Sequence, residues 1–261
     1  MIIRDVIAAL EDFAPLPLQD DYDNSGLQIG TTESEVSGAL LCLDVTPQVI
    51  AQASDMGYNL VISHHPVLFH PLKKIIDNDF TSDVVRQAIV NGMTIYSAHT
   101  SLDNAPQGVS MHMASLLGLE NVQVLAPRTD FPNAGSGVIG NFPYPVTEEH
   151  LLATVRYRFG TPCIRHNGQL ERKISRVALC GGSGAFLIDR ALEQGADAFL
   201  TGEISYHRYF GYDGRIKLIE TGHYESEQYT VDLLFNYLSG KFPQLKLSRT
   251  QVRTNPVNYY I

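Results

Sequence analysis

The sequence Gly57-Tyr58-Asn59-Leu60-Val61-Ile62-Ser63-His64-His65-Pro66 has the pattern of a buried strand that ends in a turn. Its apolar run is continuous, which is typical of a parallel strand covered on both faces. Two imidazoles stand where the run ends. In open α/β sheets, ligands bind beyond the carboxyl ends of the strands. We therefore predict a parallel sheet with functional side chains at His64 and His65.

A second stretch, Gly195-Ala196-Asp197-Ala198-Phe199-Leu200-Thr201-Gly202-Glu203, repeats this pattern. Cys42 precedes Gly57 by fifteen residues and Cys180 precedes Gly195 by fifteen, so the two copies align without a gap. His65 then falls opposite Glu203. The period is too long for a solenoid and indicates a duplicated α/β unit. The alternative is two unrelated strand–helix–strand units that look alike.

Strand and helix patterns alternate along both halves, which indicates an α/β protein with mostly parallel sheets. We predict a first α/β lobe over residues 1–126, a connecting segment over 127–172 and a second α/β lobe over 173–261. Residues 127–145 are the least regular part, rich in Gly, Pro and Asn, with one strand predicted at 136–141. In the second lobe we predict helices over 203–211 and 225–239 and a last strand within 245–252.

The composition favours a cytoplasmic protein that binds neither membranes nor nucleic acid. The net charge of the 261 residues is −9, and no cluster of Lys and Arg exceeds a pair, so a basic face for phosphates is not expected. Three cysteines without a C-x-x-C spacing are predicted to be reduced core residues. The amino-terminal stretch lacks the pattern of a signal peptide, and no apolar run approaches the roughly 20 residues of a membrane helix.

Histidine and carboxylate residues recur four apart after later strands of both halves: His99 with Asp103, and His223 with Glu227. Imidazole and carboxylate are ligands of Zn, Mn, Fe and Ni. His223 and Glu227 precede a predicted helix and share one face if they form its first turn. The alternative is a helix N-terminus with favourably placed acids. Asn104-Ala105-Pro106 makes a continuous helix through His99 and Asp103 unexpected.

Two adjacent imidazoles at a strand end can reach two different ions, because the alternation of side chains relaxes there. Carboxylates bridge paired ions about 3.5–4 Å apart, and Asp103 and Glu227 are the candidates for that role. Glu203 is interpreted as a ligand, a general base or a helix-capping acid.

Three weaker signals accompany these clusters. His207 faces either the site or the core. Asp20, Asp21 and Asp23 lack calcium-loop spacing and are predicted to form a solvated turn. The loop 181–184, Gly-Gly-Ser-Gly, follows a strand and could cradle a phosphate at a helix N-terminus, although no Lys follows it.

Taken together, the motifs resemble the Ngg-interacting-factor-three-like family, whose bacterial members are often called GTP cyclohydrolase I type 2 homologues. The motifs are Tyr22-Asp23-Asn24-Ser25-Gly26-Leu27, Ser63-His64-His65-Pro66, His99-Thr100-Ser101-Leu102-Asp103, Thr201-Gly202-Glu203 and Gly222-His223-Tyr224-Glu225-Ser226-Glu227. The resemblance covers nearly the whole chain. It implies metal ligands at His64, His65, Asp103, His223 and Glu227, with His99 beside them. It also implies a dinuclear site in the cleft between two similar lobes, and a toroidal homohexamer.

The expected function is that of a dinuclear metal-dependent hydrolase with two divalent ions per chain, drawn from Zn, Mn, Fe or Ni. His99 or Glu203 would be catalytic and move the proton. The family name implies a small-molecule nucleotide substrate, GTP opened at its imidazole ring, and a phosphoester is the substitute. The competing class is a non-catalytic protein that stores ions or acts as a regulatory adaptor, with a site closed by protein ligands.

Overall fold

Residues 1–260, described by a computed structural model, divide into two units. Of the described residues, the first unit contains 1–102 and 230–256, and the second contains 103–229 and 257–260. The segment 230–256 therefore belongs with the first half of the sequence, whereas the lobes predicted from the sequence were each continuous.

The first unit is built on a five-stranded sheet of order β1-β4-β3-β2-β11. Its strands are β1 (Gly26–Ile29), β2 (Ala39–Cys42), β3 (Leu60–Ser63), β4 (Thr94–Ser97) and β11 (Leu247–Arg249), and its helices are α1 (Ile3–Phe13), α2 (Pro47–Asp55), α3 (Phe80–Val90) and α9 (Thr230–Lys241). Every residue of β2, β3 and β4 is buried, as predicted for parallel strands covered on both faces. The sheet is parallel except at β1, which pairs antiparallel with β4.

Near its carboxyl terminus the chain returns to this sheet, where β11 pairs in parallel with β2. The predicted strand within 245–252 is thus confirmed, but it joins the first unit. Helix α2 begins as its sequence predicts: the hydroxyl of Thr46 accepts a hydrogen bond from the Val49 N–H at 3.2 Å, and Pro47 is the first helical residue. Gly57, with φ of 68°, follows its end.

The second unit is built on a six-stranded sheet of order β5-β6-β8-β9-β10-β7. Its strands are β5 (Glu120–Pro127), β6 (Gly135–Val146), β7 (Arg165–His166), β8 (Ile174–Cys180), β9 (Ala198–Thr201) and β10 (Lys217–Glu220), and its helices are α5 (Val109–Leu117), α6 (Glu148–Phe159), α7 (Ile188–Glu193) and α8 (His223–Glu227). A one-turn helix, α4 (Thr100–Asp103), ends where this unit begins.

The second sheet is mixed, and the prediction of mostly parallel sheets is wrong for it. Only β8-β9 and β9-β10 are parallel pairs; β5-β6, β6-β8 and β10-β7 are antiparallel. The strand predicted at 136–141 within the irregular residues 127–145 is confirmed as part of β6, which is longer than predicted at both ends. At Gly135 an added Cβ would lie 2.1 Å from the Ala126 carbonyl oxygen of β5, so only glycine permits this close pairing.

The internal repeat is visible as three adjacent parallel strands in each unit, β2-β3-β4 and β8-β9-β10. Equivalent positions pair in both ladders, since Cys42 lies opposite Ser63 and Cys180 opposite Thr201. The copies diverge after these strands. The helix predicted over 203–211 is only a 3₁₀ turn, Tyr206–Tyr209, because aromatic residues and histidine are indifferent helix formers and Gly211 follows. The helix predicted over 225–239 is two helices, α8 and α9, which belong to different units.

The three cysteines are free, as their odd number predicted; Cys42 and Cys180 are buried, whereas Cys163 is exposed rather than a core residue. Among the helices of residues 1–260, none combines the length and apolar character that a membrane crossing requires.

Candidate metal centre

In the first unit, three imidazoles collect at the carboxyl ends of β3 and β4. His64 and His65 follow β3 directly, and the His65 N–H still donates to the Leu43 carbonyl at 3.0 Å as the chain leaves the sheet. His99 follows β4 after one residue and precedes α4. The ring centroids of His64 and His65 lie 4.9 Å apart, and that of His99 lies 5.4 Å and 5.5 Å from them. We call His64, His65 and His99 the histidine cluster.

Each imidazole of this cluster has its Nδ1 engaged by an oxygen. Nδ1 of His64 lies 2.9 Å from the Ala98 carbonyl oxygen, which can only accept, so Nδ1 carries the proton. Nδ1 of His65 and of His99 lie 2.7 Å and 2.6 Å from carboxylate oxygens of Asp44 and Asp23. Nε2 is therefore the nitrogen that each ring can offer to a metal. Metal-binding histidines characteristically have this orientation, with the other nitrogen held by a carbonyl or carboxylate.

The cluster can hold a metal ion. One ring nitrogen from each of the three histidines lies within 4.8 Å of the other two, and His64 is fully buried. Neutral imidazole is a ligand for divalent transition metals, and its oriented Nε2 requires no proton to be removed before binding. The residues of the first unit thus fit a divalent metal by the chemistry and orientation of their donors.

Two aspartates that support the cluster carry lowered pKa values. Burial raises the pKa of Asp23, but hydrogen bonds from His99, Thr100 and Ser25 outweigh it and lower that pKa far below its usual value. Burial likewise raises the pKa of Asp44, and the hydrogen bonds from His65 and Thr254 lower it overall. Both carboxylates therefore stay charged and keep their imidazoles oriented at neutral pH.

The sequence-based prediction of a solvated turn at Asp20, Asp21 and Asp23 is wrong for Asp23. Its side chain is fully buried, and it contacts His99 from 76 residues away in the sequence. No pattern in the sequence indicates the contact between Asp44 and His65 either. The only available signal for Asp23 was its place in the family motif 22–27, because an isolated Asp among turn residues has no periodicity that would predict burial.

In the second unit, α8 begins two residues beyond β10 and carries His223 and Glu227 on one face. Nε2 of His223 lies 3.0 Å from Oε2 of Glu227, so the predicted shared face is confirmed. Gly222, with φ of 100°, allows the abrupt start of this helix, since an added Cβ would lie 2.2 Å from Oε2 of Glu225. Glu225 is buried and accepts a hydrogen bond from the Tyr259 hydroxyl at 3.2 Å, a structural role.

Glu203 lies at the other nitrogen of the same imidazole. Its Oε1 is 3.2 Å from Nδ1 of His223, and the Ser183 hydroxyl donates to its Oε2 at 2.5 Å. Glu203 therefore stands to His223 as Asp44 stands to His65. This arrangement leaves Nε2 of His223 on the side of Glu227.

Asp103, the last residue of α4, completes this group. One carboxylate oxygen of Asp103 and one of Glu227 lie within 4.8 Å of each other. We call Asp103, His223 and Glu227 the carboxylate cluster. A continuous helix through His99 and Asp103 was not expected, and α4 begins only at Thr100, although the Leu102 N–H donates to the His99 carbonyl at 2.8 Å. Helix α4 ends at Asp103, three residues before Pro106, which would interrupt a longer helix.

The glycine loop 181–184 supports Glu227 and does not cradle an anion. The N–H groups of Gly182 and Gly184 already donate to the hydroxyls of Ser226 and Thr201, at 3.0 Å and 2.9 Å. Gly182 has φ of 57°, and an added Cβ would lie 2.3 Å from Oε1 of Glu227. His207 is exposed on the turn Tyr206–Tyr209, so of the two predicted positions the core is excluded.

Comparison with known proteins gives consistent matches along the chain. The family model for Duf34/NIF3 (NGG1p interacting factor 3) matches residues 1–256. A GTP cyclohydrolase 1 type 2 homolog from Lactococcus lactis subsp. lactis is 32% identical over 263 residues, which cover 98% of both chains. Another from Clostridium acetobutylicum is 31% identical over 248 residues, covering 94% of this chain and 92% of the other.

Solved structures show the same fold. The Staphylococcus aureus protein SA1388 superimposes with a TM-score of 0.91 at 27% identity, covering 100% of this chain and 99% of that one. A Bacillus cereus protein related to NIF3 superimposes with a TM-score of 0.90 at 22% identity and the same coverage, which is evidence for the fold alone.

Proposed function

Since the chain belongs to the Duf34/NIF3 family, we propose that it is a dinuclear metal-dependent hydrolase. In this proposal two divalent ions would be held by His64, His65, Asp103, His223 and Glu227. The observation that carries it is the orientation of His64 and His65, whose Nδ1 atoms are each held by an oxygen acceptor. Such support is what an imidazole needs to present Nε2 to a metal in a fixed direction.

When bound, two such ions activate water at neutral pH and polarise the bond under attack. Asp103 and Glu227 are the carboxylates we assign to bridging, because a carboxylate has two oxygens and would serve both ions. His99 or Glu203 moves the proton. Asp23 holds Nδ1 of His99, so Nε2 of His99 is the atom that would exchange a proton. In Glu203 the atom that would exchange a proton is Oε1, which faces His223.

Solvent access favours a catalyst over an ion store. The side chains of His223 and Glu203 are 37% and 56% exposed, respectively. A storage site is closed by protein ligands, whereas a catalytic site keeps a position that solvent and substrate can reach. The storage or adaptor alternative therefore has less support from these side chains.

The substrate class comes from the relatives. Proteins about 30% identical over nearly the whole chain are named GTP cyclohydrolase 1 type 2 homologs. We propose a small-molecule substrate, with GTP opened at its imidazole ring as the first candidate. A phosphoester is the second, because paired ions also suit displacement at phosphorus.

Metal content and turnover test the proposal together. We expect two divalent ions per chain by elemental analysis, loss of both in Glu227→Ala, and no loss in Glu149→Ala, a glutamate exposed on α6. Hydrolysis of GTP or a phosphoester should disappear with a chelator and return with added metal. At most one ion per chain after metal soaking would refute the dinuclear centre.

The proton-transfer roles need a separate test. At saturating metal, His99→Ala and Glu203→Gln should hold both ions and slow turnover about 10²–10⁴-fold. The exposed His150 supplies the control His150→Ala, which should be silent. If a fully loaded protein turns over no nucleotide or phosphoester, the storage alternative replaces the hydrolase.

We also propose a homohexamer in the cytoplasm, on the strength of the family resemblance. Closed symmetric assemblies are the common form of oligomeric proteins. Light scattering at micromolar concentration should give six times the mass of one 28.9 kDa chain, and a monomer would refute this assembly.

A further inference from the structure

An aromatic side chain stands against the histidine cluster in the first unit. The ring of Phe69 lies 5.9 Å from the imidazole of His99, with the ring planes at 86°. Tyr22 lies 6.3 Å from Phe69 on another side, at 66°. Phe69 is 36% exposed and Tyr22 is 65% exposed. Two rings thus present surface to solvent next to candidate metal ligands.

Hydrogen bonds set Phe69 in this place. The Asn24 side chain donates to the Leu68 carbonyl at 2.8 Å, and the Leu68 N–H donates to Oε1 of Gln28 at 3.2 Å. Leu68 is therefore clamped on both sides, immediately before Phe69. The same segment that contains Asn24 also contains Asp23, which orients His99. One segment, 22–28, thus holds both Tyr22 and the backbone beside Phe69 in a fixed relation to the cluster.

We propose that Tyr22 and Phe69 form a stacking platform for a planar heteroaromatic ring of the substrate, an inference that rests on the proposed function. An aromatic ring can stack on any nucleobase, whatever its identity, because every base has a π-face. Large exposed rings beside a polar cluster lose little conformational entropy on binding, since each has only two side-chain torsions. The platform selects substrates that have a ring system near the bond to be broken, and it does not contribute to holding the metals.

The occupant is a ring rather than a phosphate group. Neither Tyr22 nor Phe69 carries a charge, and the carboxylate of Asp20 adjoins the platform, with the Tyr22 hydroxyl 3.1 Å from its Oδ2. A carboxylate at this edge repels phosphate and is compatible with the N–H edge of a base. The platform therefore takes the base of a nucleotide, with the phosphates directed away from this edge, and gives no contact to a phosphoester that lacks a ring.

Calorimetric titration of the metal-loaded protein tests the platform. The probes are 7-deaza-GTP and 7-deaza-ATP, whose five-membered ring resists hydrolytic opening, and inorganic triphosphate, which has no ring. Phe69→Leu and Tyr22→Leu keep apolar bulk but remove the π-face, and Phe69→Trp restores one. Phe80→Leu is the control, since Phe80 is 61% exposed on α3.

We expect each Leu variant to bind at least one deazanucleotide roughly 5- to 150-fold more weakly, the range for one lost base–aromatic stack. Phe69→Trp and Phe80→Leu should bind it like the wild type, and triphosphate should bind all variants equally. The proposal is overturned if triphosphate binds the wild type as tightly as both deazanucleotides. It is also overturned if the Leu variants match the wild type, weaken all probes equally, or change the oligomeric mass instead of the affinity.

Failure of the platform is distinguishable from failure of the hydrolase. Turnover of a ring-free phosphoester without any ring-dependent binding removes the platform and leaves the hydrolase. Ring-dependent binding through Phe69 in a fully loaded protein that turns over nothing leaves the platform as a nucleotide-binding surface and removes the hydrolase.

Discussion

Replacing Gly182 with alanine should displace the proposed metal ligand Glu227 while leaving the fold in place. A Cβ on Gly182 would lie 2.3 Å from Oε1 of Glu227 and 3.3 Å from Cε1 of His223. Non-bonded heavy atoms settle at about 3.5 Å, so the Glu227 carboxylate must retreat by roughly 1 Å. Metal–ligand distances tolerate only about 0.2 Å. We expect Gly182→Ala to weaken divalent metal binding at least about 10–100-fold, the cost of disturbing even an outer partner of a ligand.

A matched variant separates the clash from backbone strain. Gly195 has φ of 74°, close to the 57° of Gly182, but an added Cβ there would meet nothing within 4 Å. Both alanine variants therefore bear the left-handed backbone cost of about 1–2 kcal/mol. Only Gly182→Ala disturbs Glu227. The difference between the two variants in metal affinity thus reports the clash, while their shared loss of stability reports the strain.

Both quantities are measurable on the purified chain. Metal affinity is obtained by stripping with a chelator, reloading with Zn²⁺ or Mn²⁺ and titrating against a competing chromophoric chelator. The free energy of unfolding is obtained from urea denaturation of the metal-free forms. Equal metal affinities for Gly182→Ala and Gly195→Ala, at equal stability, would show that Glu227 is not a ligand or that its position is immaterial to binding.

Further expected outcomes concern the support of the cluster and the stability of the second unit. Asp44→Asn removes the charge that orients His65 and should weaken metal binding about 10–100-fold in the same competition titration, whereas an unchanged affinity would deny that support. Burial raises the pKa of Asp197, but two backbone N–H groups and Arg172 lower it overall, so its stabilisation is present above the unfolded pKa of about 4 and is lost as the pH falls through the lowered value. Asp197→Asn should therefore lose about 1–3 kcal/mol at pH 7 in urea denaturation, and the deficit should shrink below pH 4; a constant deficit would contradict the charge-based account. Lys217 is fully buried in β10, and its Nζ lies 2.6 Å from Oε1 of Glu148. Lys217→Met should lower the free energy of unfolding in urea denaturation by about 3 kcal/mol or more, and adding Glu148→Gln should recover part of that loss.

Positions of the ligands along the chain were predictable because they follow strands with continuous apolar runs. Leu60-Val61-Ile62 and Ala198-Phe199-Leu200 have the pattern of strands buried on both faces, and the residues after such strands lie at the sheet edge where ligands bind. His223 with Glu227 was predictable for a different reason, since a separation of four on a helix places two side chains together. Local rules therefore sufficed for these residues.

The residues that orient the histidines were not predictable in the same way. Asp23 and His99 are 76 residues apart, and the ring of Phe69 reaches His99 from a loop with no regular structure. Their contacts depend on β1 pairing antiparallel with β4, which brings the segment before Gly26 beside the end of β4. Antiparallel edges of this kind, like the β5-β6 pair, arise from long-range pairing that neither periodicity nor composition encodes.

The two copies of the repeat differ at one strand end and agree at the next. After β3 one copy continues with His64-His65, whereas after β9 the other continues with Gly202-Glu203. After β4 and β10 both copies place a carboxylate four residues beyond a histidine, Asp103 after His99 and Glu227 after His223. Imidazole offers one nitrogen to a metal once the other is held, so histidines can hold ions but cannot bridge them. The carboxylates, of which one oxygen of Asp103 lies within 4.8 Å of one of Glu227, are thus the donors that the two copies share, as expected if bridging is the role that the proposed dinuclear centre cannot lose.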